Sequence, residues 1–206
     1  TMQDAHTGLY NRWHFEEALQ KEIERSQRHK RDLALLIVDI DHLSRVNDLL
    51  GQEKGDVVIK HVAKIIKSSL RDIDIPCRYG SEEFAIVLPE TAEQSALEVA
   101  ERLRQRIRSE AAPGIGMITV SIGIAAASAN SETSGTALVK FAEEALDVAK
   151  FEGRDRVKAH EGVTTDPGRI PWEELARQAK LAVVSERQSR LQNRLSLTPE
   201  YAPWMR

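Results

Sequence analysis

Two acidic clusters hold the side chains best suited to chemistry in this chain: Asp39-Ile40-Asp41, and Glu82-Glu83 just after Gly80-Ser81. Carboxylates brought close together repel unless a proton or a cation sits between them, and hard oxygen donors on a rigid backbone suit Mg²⁺ working with substrate phosphates. A lone Asp-x-Asp or Glu-Glu is more often a solvated turn, so the weight rests on the surroundings. Asp39 ends the apolar run Leu33 to Val38, which is short and β-branched enough for a buried strand and delivers its carboxylates to one end of a sheet. Gly80 and Ser81 lie between Cys77-Arg78-Tyr79 and Phe84 to Leu88, the pattern of a hairpin tip. A hairpin paired beside the first strand brings Glu82 close to Asp39.

The elements that must position these groups follow from apolar periodicity. Asn11 caps a helix from about Arg12 to Arg28, with Phe15, Ala18, Leu19 and Ile23 on one face. A short helical segment closes at Gly51, and a helix starting at Gly55-Asp56 carries Val58, Ile59, Val62, Ile65 and Ile66, which places Asp56 in its positive first turn. Ala92 to Arg108 is a further amphipathic helix, Met117 to Ala126 an alternating strand, Leu138 to Phe151 a helix and Arg156 to Lys158 a short strand. Interleaved strands and helices with one hairpin indicate an α/β (α+β) fold, a mixed central sheet covered by helices. Gly162 to Pro171 reads as a linker, and Trp172 to Leu195 as a long helix. Such a helix most often packs on its own domain and less often pairs with a partner; Tyr201-Ala202-Pro203-Trp204 suggests a docked tail.

Bulk properties narrow the function classes. The chain has 206 residues, 41% hydrophobic and 30% charged, enough to bury a core as a soluble globular protein. A formal net charge of -3 argues against a general nucleic-acid binder, so an anionic substrate needs a local cationic site or a metal. Cys77 alone makes no internal disulfide, which suits a reducing cytoplasm. No stretch of about 18 apolar residues exists and no signal-peptide pattern opens the chain, although a membrane-tethered or receiver region upstream of Thr1 fits what is present. There is no Gly-x-x-x-x-Gly-Lys phosphate loop and no zinc spacing, and Trp13, Trp172 and Trp204 are too dispersed to stack nucleic acid.

Over roughly the first three-quarters of the chain, the motifs and their order resemble the GGDEF family of diguanylate cyclases, with a variant Gly-Ser-Glu-Glu-Phe signature. The resemblance is carried by Asp4-Ala5-His6-Thr7-Gly8-Leu9-Tyr10-Asn11-Arg12, Asp39-Ile40-Asp41-His42, Asn47-Asp48, Gly51-x-x-x-Gly55-Asp56 and Arg78-Tyr79-Gly80-Ser81-Glu82-Glu83-Phe84. Val120-Ser121-Ile122-Gly123-Ile124-Ala125 and Ala149-Lys150-x-x-Gly153-Arg154-Asp155-Arg156 complete it. The resemblance implies a sheet like that of nucleotide cyclases and polymerase palms, and a division into a cyclase domain at 1–160, a linker at 161–171 and a helical C-terminal extension at 172–206. It also implies condensation of two GTP into cyclic di-GMP with loss of pyrophosphate, across a homodimer of half-sites.

Residue by residue, the resemblance makes Asp39, the Ile40 carbonyl and Glu82 ligands of Mg²⁺ or Mn²⁺, two ions per half-site. Glu82 is also the catalytic base, and Glu83 its support at the second ion. Asn47, Gln52 and Asp56 match the guanine side, where a carboxylate accepts from guanine N1 and N2 hydrogens in a pattern adenine lacks. Lys150 and Arg154 match cationic contacts to the terminal phosphates. Arg71-x-x-Asp74, with Arg102 on the following helix, matches a product-inhibition site. Three positions depart from the pattern: Ser81 stands for the second signature glycine, Ser44 for a charge-stabilising lysine and Gln52 for a frequent histidine. A missing cation removes transition-state stabilisation, so the expectation is an enzyme of reduced activity. The alternatives are a non-catalytic receptor for cyclic di-GMP or GTP, and a scaffold whose carboxylates are only surface charge.

Overall fold

Strand β1, Leu33–Ile40, is buried along its whole length because it lies at the centre of the sheet. The computed structural model describes residues 2–161 and 172–196; the expected linker and the Tyr201-to-Trp204 tail lie outside them. In chain order the elements are α1 Arg12–His29, β1, α2 Leu43–Leu50, α3 Gln52–Ser69, β2 Ile75–Arg78, β3 Glu83–Pro89, α4 Glu93–Ser109, β4 Val120–Ala127, α5 Gly135–Phe151, β5 Val157–Ala159 and α6 Trp172–Ser196. The sheet runs β2-β3-β1-β4-β5, antiparallel except where β4 pairs with β5. Among the described residues no helix is long and apolar enough to cross a membrane.

The two-residue period of β1 divides the core. Ala34, Leu36, Val38 and Ile40 pack with α3 and α4, while Leu33, Leu35 and Ile37 pack with α1 and α5. Asp39 continues the second set, and so ends its strand on the α5 side. Asn11 caps α1 as expected, its side chain accepting from the His14 backbone N–H at 2.9 Å. Gly123 lets β4 approach α5 closely, since a Cβ there would fall 2.1 Å from the Ala142 carbonyl oxygen. Cys77 is fully buried, which pushes its thiol up to about 12.

Two expected boundaries move. Helix α3 begins at Gln52, so Glu53 occupies its first turn and Asp56 lies beyond it. Gly55 is tolerated inside the helix because it is buried against Asn47 of α2, a contact that outweighs its low propensity. Strand β4 starts at Val120 rather than Met117; Met117 is exposed and has no strand partner.

Candidate active site

The hairpin β2-β3 delivers its acidic tip to the end of β1. Glu83 pairs with Asp39 in the β1-β3 register, and the Ile40 N–H donates to the Glu82 carbonyl at 3.1 Å. Asp39, Ile40 and Glu82 line one cleft with His42, Leu43 and Ser44 at the start of α2, and with Lys150 and Arg154 at the end of α5. Glu83 turns to the neighbouring cleft beside Glu143 and Lys150, where a Cβ on Gly80 would fall 2.7 Å from its carboxylate.

Lys150 sits in the last turn of α5, where the helix dipole favours a cation, yet it is 7% exposed. Its ammonium lies 2.8 Å from Asp39 Oδ2. Oδ2 is a buried oxygen that this ammonium alone engages. Burial pushes the Asp39 carboxyl up to about 7 against the pull of Lys150, and nearby Glu82 and Glu83 add to the rise. A buried carboxylate oxygen engaged only by an exchangeable ammonium, the Ile40 carbonyl and the Glu82 carboxyl form a hard oxygen set that fits a divalent cation. Among the described residues no three acidic, His or Cys side chains come together as a metal cage.

Asp41, two residues on from Asp39, has a different task. It accepts from Ser121 Oγ at 2.7 Å, Thr119 Oγ1 at 2.8 Å and the Asp155 N–H at 3.1 Å. These bonds tie the segment after α5 to the end of β1. Gly153, Arg154 and Asp155 all take positive φ, and Asp155 is further held by Arg104 at 2.5 Å and Arg108 at 2.8 Å. The strained turn is thereby fixed with Arg154 facing the cleft.

The signature turn is built from backbone bonds. Tyr79 and Gly80 N–H groups donate to the Glu83 carbonyl at 2.9 and 3.0 Å, and Arg78 donates to the Gly80 and Ser81 carbonyls. Ser81 is exposed and is not among the residues with positive φ, so its Cβ meets no left-handed strain.

Asn47, Gln52 and Asp56 stand on α2 and α3, apart from the Asp39 cleft. A Cβ on Gly55 would fall 1.8 Å from Asn47 Oδ1, so the glycine makes room for that amide beside Asp56. Asp56 Oδ1 lies 3.5 Å from His6 Nε2. Gln52 is exposed at the start of α3.

The Arg71-x-x-Asp74 corner lies elsewhere, at the loop between α3 and β2. Asp74 accepts from the Arg71 backbone N–H at 2.8 Å and from Arg71 Nη2 at 2.7 Å, while Nη2 also donates to Thr91 Oγ1 at 2.8 Å. The hydrogen bond it donates to the Asp74 carboxylate holds the guanidinium above its ordinary value. Arg102 reaches the same corner by donating to the Ser69 carbonyl at 3.4 Å. An open depression of about 220 Å³ adjoins Arg71, lined also by Leu9, Tyr10 and Lys67.

Sequence reasoning passed over three groups near these sites. His6 stands in the opening motif with nothing in its spacing to tie it to Asp56, and Asp41 carries no signal that separates it from Asp39. Val183, Glu186 and Arg187 of α6 also line the Asp39 cleft, with Glu186 2.5 Å from Arg154. They lie beyond every motif, and no spacing points to them.

Known proteins give this geometry a context. The family described as "Diguanylate cyclase, GGDEF domain" matches residues 1–156. The response regulator PleD of Caulobacter vibrioides is 37% identical over 159 residues, 75% of this chain and 35% of that protein. The probable diguanylate cyclase DgcC of Escherichia coli is 34% identical over 157 residues, 76% of this chain and 42% of that protein. The chain thus spans well under half the length of these relatives. In structure it is similar to the GGDEF domain of DgcB from Caulobacter crescentus, solved in complex with c-di-GMP, with a TM-score of 0.74, 32% identity and coverage of 78% of this chain and 94% of that one. By family match, sequence identity and fold together, the chain belongs to the GGDEF domain family of diguanylate cyclases.

Proposed function

We propose that this domain is a diguanylate cyclase, condensing two GTP into cyclic di-GMP and two pyrophosphates across a homodimer in which each chain holds one nucleotide. The observation that carries the reading is the shared cleft of Asp39, Glu82, Lys150 and Arg154, assembled from two strands and the end of α5. Residues 1–160 form the cyclase domain in this reading, 161–171 a linker and 172–206 an extension.

Asp39, the Ile40 carbonyl and Glu82 would hold the divalent cations, which when bound neutralise triphosphate charge and ease deprotonation of the attacking hydroxyl. Glu82 takes the proton of the ribose 3′ hydroxyl as its oxygen bonds to the α-phosphorus of the facing GTP and pyrophosphate departs. Lys150 exchanges Asp39 for a phosphate oxygen, and Arg154 binds the terminal phosphates. Asp56 accepts the guanine N1 and N2 hydrogens, and Asn47 bonds the purine edge. Ser44 leaves the phosphates one cation short, so turnover is slow. Product returns to Arg71, Asp74 and Arg102 and inhibits synthesis.

Incubating the purified chain with GTP and Mg²⁺ or Mn²⁺, then resolving the products by chromatography, tests the reading. Cyclic di-GMP and pyrophosphate appear, and Glu82→Gln abolishes both. Nucleotide binding without any product in the unaltered chain would instead make it a receptor.

A further inference from the structure

Helix α6 lies along α5 through a seam of small side chains, Ala145 and Val148 against Ala176 and Ala179, with Leu175 beside them. Ala179 is fully buried there. The seam sets the register of α6 so that its next turns, bearing Val183, Glu186 and Arg187, stand over the Asp39 cleft. The free space left is about 40 Å³. That accommodates a few waters, whereas sites for drug-sized ligands and cofactors typically span at least ~300 Å³.

Charge closes the cleft as firmly as volume does. Arg154 Nη2 lies 2.5 Å from Glu186 Oε2, a carboxylate in the place a phosphate oxygen would take. Lys150 is engaged by Asp39. Lys150 and Arg154, the two cations that the end of α5 brings to the cleft, are therefore engaged by acids of the chain itself, one of them supplied by α6, which also brings Arg187.

We propose that α6 is an autoinhibitory strap: it competes with the triphosphate of GTP for Arg154 and must lift from α5 before nucleotide can occupy the cleft. The inference rests on the reading of this cleft as the GTP site. The apolar seam consists of three alanines, a valine and a leucine, and a ligand that binds only the open form can be exchanged for it. Strap and triphosphate are then reciprocally linked: whatever loosens α6 tightens nucleotide binding, and bound nucleotide loosens α6.

Two variants of the full chain test this by different routes. Ala179→Glu places a carboxylate in the alanine seam and lifts the helix, whereas Glu186→Ala leaves the seam intact and frees Arg154. With Mg²⁺ present, the KM for GTP and the Kd for tripolyphosphate fall about tenfold in Ala179→Glu and about threefold in Glu186→Ala. In Ala179→Glu, kcat at saturating GTP is unchanged. Amide hydrogens of α6 in the unaltered chain exchange faster once tripolyphosphate and Mg²⁺ are added. Unchanged affinities in both variants, or α6 amides equally protected with ligand bound, overturn the strap. A higher KM with a lower kcat in Ala179→Glu also overturns it, because α6 would then be supplying Arg187 to the phosphates. Failure of GTP and tripolyphosphate to bind any of the three proteins overturns the GTP reading itself, and the strap with it.

Discussion

The Asp39–Lys150 pair and the Arg71–Asp74 pair join the same kinds of charge in opposite circumstances. Both members of the first are nearly sealed from solvent, and Oδ2 of Asp39 meets only the Lys150 ammonium. In the second, Asp74 is buried but Arg71 is half exposed; the Arg71 backbone N–H also donates to Asp74, and Thr91 Oγ1 accepts from the guanidinium. Desolvation makes the first pair a poised arrangement that gains from exchanging its partner for a metal and a phosphate. Satisfaction makes the second a finished one, presenting a fixed guanidinium to an open depression. A site for chemistry and a site for recognition thus differ in what remains unmet before any ligand arrives.

Lys150→Met breaks the comparison at its most sensitive point. The expected loss in kcat/KM for GTP is about a hundredfold or more, since the phosphates lose a cation in a water-poor cleft. Stability falls by about 1–3 kcal/mol in chemical denaturation, because Asp39, already pushed up to about 7, must take a proton once its countercharge is gone. A stability equal to that of the unaltered chain would show that the pair is solvated rather than sealed. Gly123→Ala tests how rigidly α5 holds this lysine. Its Cβ must displace the Ala142 carbonyl and the Leu146 N–H, 2.1 and 2.3 Å away, so a loss of about 2–3 kcal/mol is expected, together with reduced turnover.

At the other pair, Arg71→Ala lowers cyclic di-GMP affinity by about tenfold or more in calorimetry and leaves the initial rate of synthesis intact. Unchanged product affinity would remove the assignment. Gly55→Ala is milder still. The Asn47 amide must rotate away from a Cβ 1.8 Å from its oxygen, which raises the KM for GTP several-fold with little change in kcat. An equal fall in kcat would mean that the amide also positions the reacting phosphate.

Legibility in the sequence follows the range of the interactions that build each part. Asp39 and Glu82 converge because a strand and a hairpin have only one pairing that buries both apolar faces, so periodicity and turn residues carry the information. The start of α3 was misplaced because Gly55 looks like a helix boundary until Asn47 is seen lying against it. Asp41 shares the type and strand end of Asp39 yet serves Thr119, Ser121 and Asp155, positions far along the chain that no local pattern connects to it. The approach of Glu186 to Arg154 depends on a seam of alanines, a residue type whose spacing announces no partner. That Ser81 can stand for a signature glycine depends on the backbone of the turn, which takes no positive φ there, and residue type alone does not reveal it.

The smallest effect belongs to Asp4, which links the opening motif to the signature turn. Its carboxylate accepts from the Thr7 N–H at 2.8 Å, Thr7 Oγ1 at 2.7 Å and Arg78 Nη1 at 3.3 Å. Burial pushes the carboxyl upward, but the Thr7 bonds and the Arg78 charge outweigh it and hold Asp4 below its ordinary value. A carboxyl depressed in the folded state binds fewer protons there than when unfolded. Its stabilisation is therefore complete above the unfolded value near 4 and drains away as pH falls through the folded one. Asp4→Ala should accordingly cost about 1 kcal/mol at pH 7, the scale of a few partly exposed hydrogen bonds, and less at pH 2. Denaturant midpoints of the two proteins at both pH values measure this. A gap that persists undiminished into acid would mean that Asp4 acts through packing, and that Arg78 holds the signature turn without it.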